Sequence, residues 1–262
     1  MATTEFDILA DTYYEEHRKN VEITGEAPEY FAEYKVADLA HHLSGARVAC
    51  SRIADFGCGI GNSIPYFRKY FPNATLSCAD ISTRSMQLAQ ERFPGNEIFL
   101  LIKGETIPAG EASQDAVFSA CVFHHISEED HKRYLRELLR ITRPGGVLAI
   151  YEHNPLNPLT VRAVNTCPLD KNARLIGARA LRRACLNAGW SSVRIDYRLF
   201  FPRSLARLRP LERRLGWLCI GAQYRILAWR GTDSSLKTPR NGEQSGQECA
   251  NKPDSEVLEV VS

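Results

Sequence analysis

The chain lacks several features that would assign it quickly. It has eight cysteines, yet none forms a C-x-x-C pair, and no cysteine or histidine cluster has the spacing of a zinc site. Several thiols sit inside apolar runs, where they behave as small hydrophobes, as expected of a reduced, cytoplasmic protein with no bound metal. No stretch reaches the ~18 uninterrupted apolar residues of a membrane span. The opening "MATTEFDILADTYYEEH" carries acids early and no long apolar run, which argues against a secretory signal. There is no internal repeat. Net charge is only +2, so nothing global calls for nucleic acid or an anionic surface.

What is present fits an ordinary soluble domain. The 262 residues are 44% hydrophobic and 24% charged, enough for one sizeable α/β domain with additions. The charge is unevenly spread. Arginine recurs between Arg174 and Arg214, at 179, 182, 183, 194, 198, 203, 207, 209 and 213, against only Asp196 and Glu212. A solvated face is the simplest reading, since arginine stems cover apolar surface while their heads stay in water. Contact with an anionic acceptor or lipid through 174–214 comes second. RNA comes last, because no aromatic single-strand platform accompanies the arginines.

The hydrophobic pattern alternates between two periods. "TEFDILADTYYEEH" and "APEYFAEYKVADLAHHL" predict two helices, the second starting at Pro28. Arg52 to Phe56 predicts a short buried strand, followed by a glycine turn and the helix "NSIPYFRKYF". "ATLSCAD" is a second strand, and Ser82 is placed to cap the helix "TRSMQLAQERF". "EIFLLI" and "DAVFSACVF" are the third and fourth strands. "EEDHKRYLRELLRIT" is a helix stopped by Pro144-Gly145-Gly146, and "GVLAIYE" is the fifth strand. After the helix "GARALRRACLNAG", the alternating strands "SVRIDYRLF" and "AQYRILAWR" suit the open edge of a sheet. Such βα alternation predicts a parallel sheet with helices on both faces. The polar, aperiodic stretch 232–262 predicts a disordered tail.

The chemistry concentrates in "IADFGCGIGN", at the carboxyl end of the first strand, where such sheets bind ligands. A dinucleotide turn needs G-x-G-x-x-G to seat a pyrophosphate. Here the spacing is G-x-G-x-G (Gly57, Gly59, Gly61), with Asp55 two residues ahead. A fixed carboxylate there disfavours pyrophosphate and suits a cation bearing an amino group, which counts against a nicotinamide-dependent reductase. Asp80 closes the second strand at the distance where an acid bonds ribose hydroxyls.

The ordered set "IADFGCGIGN", "ADIS", "GETIP", "DAVFSACVFHHIS" and "LLRITRPGGVLAIYEHNP" resembles class I S-adenosylmethionine-dependent methyltransferases. It is similar to the branch that includes ubiquinone/menaquinone-biosynthesis and small-molecule enzymes. The resemblance covers about Phe6 to Arg230 and is strongest between Ile53 and Pro155. It implies a Rossmann-like, seven-stranded, mostly parallel α/β sheet whose last strand, "AQYRILAWR", is antiparallel. It also implies an N-terminal helical cap over residues 1–45 and a methyltransferase domain over 46–231. By that resemblance, Asp55, Gly57, Cys58, Gly59 and Gly61 surround the methionine moiety of S-adenosyl-L-methionine. Asp80 holds the ribose, Ile81 packs on the adenine, Glu105 and Thr106 bracket its edge, and Cys121 offers its backbone.

The acceptor side is less defined. Methyl transfer needs a base only when the acceptor must lose a proton, and His124 and His125, after the fourth strand, are the candidates. Loop packing is the alternative for that pair. Glu152, His153 and Asn154 in "YEHNP" face either the acceptor or nothing but their own loop, and Tyr13 is the candidate lid contact. The expected activity is methyl transfer to a small-molecule or lipid- or glycan-linked acceptor, in a cytoplasmic protein that could also touch a membrane peripherally. A non-catalytic S-adenosylmethionine-binding partner protein and an RNA or protein methyltransferase are the rivals.

Overall fold

The computed structural model describes residues 5–45, 50–104 and 106–232. The expected tail therefore lies, except for Thr232, outside the described residues, as does Glu105. Strands β1 (Arg52–Phe56), β2 (Thr75–Asp80), β3 (Ile98–Leu101), β4 (Gln114–Ala120), β5 (Thr142–His153), β6 (Ser192–Arg198) and β7 (Gln223–Trp229) form one sheet in the order β3-β2-β1-β4-β5-β7-β6. β1 pairs parallel with β2 and β4, β2 with β3, and β4 with β5. β7 runs antiparallel to both β5 and β6. The expected architecture, with its antiparallel last strand, is the observed one.

Helices cover both faces. On one side α6 (Glu128–Ile141) and α8 (Ala178–Ala188) bring Leu135, Leu138, Ile141, Leu181 and Cys185 against the sheet. On the other, α3 (Pro28–Gly45), α4 (Ile64–Tyr70) and α5 (Thr83–Arg92) bury Val36, Leu39, Ile64, Phe67, Met86 and Ala89. The caps are those the sequence supplies. Ser82 Oγ accepts the Ser85 N–H at 3.0 Å, and Ser127 caps α6 ahead of three acids that suit the positive end of its dipole.

Four local departures have physical causes. The first predicted helix is split into α1 (Glu5–Leu9) and α2 (Tyr13–Val21). The fourth strand stops at Ala120, because Cys121 takes a left-handed backbone (φ 58°) and the chain turns into a short 3-10 helix over Phe123–His125. β5 starts directly at Thr142 rather than after the Pro-Gly-Gly, which lies in an irregular part of the β4–β5 pairing. Residues 158–166, read as loop, form α7 (Pro158–Thr166), with the Asn157 side chain accepting from Leu159 and Thr160 N–H.

A buried ion network ties α3 to the antiparallel half of the sheet. Asp38 Oδ2 accepts from Arg225 Nη1 at 2.6 Å and from the Tyr151 hydroxyl at 2.9 Å, while Arg198 Nε reaches Asp38 Oδ1 at 3.2 Å. Arg225 Nη2 also donates to Asp196 Oδ2 at 2.9 Å. Among the described residues, no helix is long and apolar enough to cross a membrane.

Candidate active site

Strand order reverses between β1 and β4, so the loops leaving their carboxyl ends diverge and open a crevice. A cavity of about 890 Å³ lies there, roofed by residues of α1, α2 and α7. That is near the upper end of the roughly 300–1,000 Å³ of small-molecule sites.

One end is built from the glycine turn and the tip of β2. Asp55 is 2% exposed, and its Oδ2 has no hydrogen-bond partner. Burial, then the nearby Asp80 charge, push its carboxyl up to about 7. Gly57 needs its positive φ of 76°, and a Cβ there would strike Val122. At Gly59 a Cβ would meet nothing within 4 Å. Asp80 Oδ2 accepts the Gly59 N–H and Oδ1 the Ser82 N–H, each at 2.8 Å. Burial raises its carboxyl, opposed by those backbone donors. Ile81, 40% exposed, faces the same space.

Asp55, Gly57, Cys58, Gly59, Asp80, Ile81 and Cys121 all line the cavity. Gly61 does not. A Cβ there would press on Ile64 and Ala89, so this glycine lets the turn pack on α4 and α5. Thr106 is exposed and outside the cavity wall, which on the β3 side is formed by Ile102, Ile126 and Tyr134 instead. Those apolar residues carry no motif signal. The N-terminal roof is tied to this end, because Asp7 Oδ1 accepts the Ser82 hydroxyl at 2.7 Å and the Arg84 N–H at 3.2 Å.

The other end holds Tyr13, His17, Lys35, Cys121, His153 and Gln223. The Cys121 N–H is taken by Tyr151 O at 2.8 Å, so its backbone can offer a ligand only the carbonyl. Its Sγ receives Lys35 Nζ and Gln223 Nε2, both at 3.6 Å. Burial would raise this thiol, but the charges of Lys35 and His153 outweigh it and bring it to about 7. His17, desolvated and next to Lys35, falls to about 4 and is neutral near pH 7; its Nδ1 has no partner. Burial holds the Tyr13 phenol protonated.

His124 is not free to act as a base. It is 2% exposed, its Nδ1 meets Glu152 Oε2 at 2.6 Å, and its Nε2 faces Asp170 Oδ1 at 3.4 Å. Burial alone would lower its pKa, but the two carboxylates raise it to about 10, so the ring is protonated at neutral pH. Glu152 lies behind the wall, where its Oε1 accepts the Val122 and Phe123 N–H groups at 2.9 and 2.7 Å. Asn154 also leaves the site. It is 1% exposed and bonds Cys219 O and Gly221 O at 2.9 and 2.8 Å, which staples the loop before β7. His125 and His153 do face the cavity, and His125 Nε2 stands 3.5 Å from Asp170 Oδ1. Asp170, 45 residues beyond His125, escaped sequence reasoning because only the fold brings it there.

Residues 54–150 match the family described as a methyltransferase domain. A trans-aconitate 2-methyltransferase of Azoarcus sp. is 34% identical over 129 residues, 49% of each chain. A thiol S-methyltransferase of Homo sapiens is 30% identical over 131 residues, 46% of this chain and 51% of the relative. The chain thus spans about half the length of these curated relatives. Among solved structures, a Thermotoga maritima S-adenosylmethionine-dependent methyltransferase, a possible histamine N-methyltransferase, superposes with a TM-score of 0.59 at 18% identity, covering 86% of this chain and 97% of that one. A Haemonchus contortus phosphoethanolamine N-methyltransferase in complex with S-adenosyl-L-methionine gives 0.59 at 14% identity, over 88% and 61% of the two chains. In strand order and overall superposition the chain has the fold of these S-adenosylmethionine-dependent methyltransferases, and its residues 54–150 match a methyltransferase domain.

Proposed function

We propose that this protein transfers a methyl group from S-adenosylmethionine to a small-molecule acceptor. The observation that carries the reading is one cavity lined both by the glycine turn with Asp55 and Asp80 and by the polar set Tyr13, His17, Lys35 and His153. The residues present suit the cofactor. The unpartnered Asp55 Oδ2 answers an ammonium group, and the open space over Gly59 admits a ligand against bare backbone. The Asp80 carboxylate, steadied by two backbone donors, keeps lone pairs for a diol, and Ile81 offers an apolar face to a base. When bound, the cofactor supplies a methyl group already activated on a sulfonium.

What the chain adds is placement and dryness. Holding an acceptor atom in line with the methyl group can provide most of the rate enhancement. The buried Lys35 attracts an anionic or electron-rich acceptor, the Tyr13 phenol donates to it, and neutral His17 accepts from it. Residues 1–45 act as the cap in this arrangement and 46–231 as the transferase domain, in a cytoplasmic protein. Calorimetry with S-adenosylmethionine, S-adenosylhomocysteine and NADH tests the cofactor assignment, and tight NADH binding without the other two would overturn it. Labelled-methyl transfer to a panel of thiols, carboxylic acids, amines and lipid extracts tests catalysis. Cofactor binding with no turnover on any of them would favour a non-catalytic partner, and labelled RNA or protein would favour a macromolecular substrate.

A peripheral lipid contact has its own support. Leu205, Leu208, Leu211, Trp217 and Ile220 are all exposed beside the exposed Arg207 and Arg213. Other arginines of the stretch are engaged within the fold, as Arg209 is by Glu26 at 2.7 Å and Arg194 by Asp196 at 2.7 Å. Binding to anionic liposomes that survives Arg207→Glu with Arg213→Glu would remove this reading.

A further inference from the structure

We propose that His124 Nε2, His125 Nε2 and Asp170 Oδ1 form a site for a zinc-class divalent cation at the acceptor end of the cavity. One ligand atom from each of the three residues lies within 4.8 Å of the other two. Both imidazoles face the same carboxylate oxygen, at 3.4 and 3.5 Å. Those separations are too long for charge-assisted hydrogen bonds, which run at about 2.7–2.9 Å. These two separations match edges of a tetrahedron instead: with bonds of roughly 2.0–2.1 Å, ligand atoms stand about 3.3–3.4 Å apart.

The surroundings are built to hold the donors in place. Glu152 Oε2 engages His124 Nδ1 at 2.6 Å, which directs Nε2 toward the site; an ion bound there displaces the proton that Nε2 carries in its absence. This carboxylate–histidine arrangement is the usual outer support of a metal-ligating imidazole. The same Glu152 fixes the Phe123–His125 turn through its two backbone acceptor bonds, so one buried side chain sets both ring and loop. Asp170 ends a 3-10 turn over Pro168–Asp170, and the Arg174 N–H donates to His124 O at 2.7 Å, which ties the two segments together. Two carboxylates, Asp170 and Glu152, balance a double positive charge. Nitrogen and oxygen donors of this kind favour zinc or cobalt over magnesium or calcium.

Three protein ligands leave a fourth position, and His124, His125 and Asp170 all border the cavity. That is the pattern of a catalytic rather than a structural zinc site. An ion there would bind the acceptor's thiol or hydroxyl and lower its pKa, so that it enters the transfer as an anion. That role rests on the methyl-transfer reading; the site does not.

The test uses the full chain, stripped with chelator and titrated with Zn²⁺ by calorimetry and with Co²⁺ by visible absorption. The expected result is one equivalent of either ion. Cobalt should show the strong d–d bands of a four-coordinate nitrogen–oxygen site, without thiolate charge transfer. His125→Ala and Asp170→Asn should each weaken binding at least tenfold, and Zn²⁺ should raise the melting temperature of the wild type but not of His125→Ala. A hexa-aquo cobalt spectrum, thiolate charge-transfer bands, or unchanged affinity in a folded His125→Ala would overturn the proposal. Calorimetry with S-adenosylmethionine on the stripped chain reports separately on the methyl-transfer reading.

Discussion

Gly57 and Gly59 sit two residues apart in one turn, yet alanine should act differently at each. Both have left-handed backbones, with φ of 76° and 50°, so either substitution carries a conformational cost of about 1–2 kcal/mol. At Gly57 the new methyl also meets both Cγ atoms of Val122, and overpacking of this kind typically costs about 1–3 kcal/mol more. Gly57→Ala should therefore lose about 2–5 kcal/mol of unfolding free energy, and Gly59→Ala only about 1–2. Urea denaturation followed by tryptophan fluorescence measures both; Trp190 is buried and reports on the core. A double-mutant cycle with Val122→Ala isolates the steric part, and the coupling should favour the double variant by about 1 kcal/mol or more. For ligand binding the ranking reverses, because the Gly59 methyl projects into the cavity. Equal stability losses at the two glycines, or no coupling to Val122, would refute this account of the turn.

Asp55 gives a pH signature. Its carboxyl titrates near 7 when folded and near 4 when unfolded, so between those values the native state holds the extra proton. Its contribution to stability is thus full below about pH 4 and is lost as pH rises through 7. Asp55→Asn should flatten that fall by an amount on the order of 3–4 kcal/mol, read as the difference between the two urea stability profiles from pH 4 to 8. Asp38→Ala should cost about 3–5 kcal/mol in the same assay, since it strips buried Arg225 of its 2.6 Å partner. A loss under 1 kcal/mol would mean that Asp196 alone satisfies Arg225.

The sheet was legible because β1, β2 and β4 are short and largely apolar and β6 and β7 alternate, while the helices between strands repeat at a different period. That Asp55, Gly57, Gly59 and Asp80 would line one cavity was legible for a related reason. These residues lie within one loop or at one strand tip, so spacing along the chain carries the geometry. α7 was missed because Pro155 and Pro158 read as loop punctuation, although Asn157 followed by proline is also a helix start. The roles of His124 and Glu152 could not be read from sequence. Both stand in suggestive places, but their mutual hydrogen bond and the approach of Asp170 decide whether an imidazole is a base or a fixed cation. Asn154 misled for the opposite reason. A polar residue at a strand end suggests a ligand contact, whereas here it closes the backbone of a distant loop.

Asp7 reaches from the N-terminal helix to the hydroxyl that caps α5, one turn from the carboxylate at the end of β2. The roof and the end of β2 are therefore joined through one serine. By linkage, any free energy that couples a ligand on Asp80 to the seating of α1 acts equally in both directions. A change at Ser82 would therefore be felt at the roof of the cavity and at the end of β2 alike.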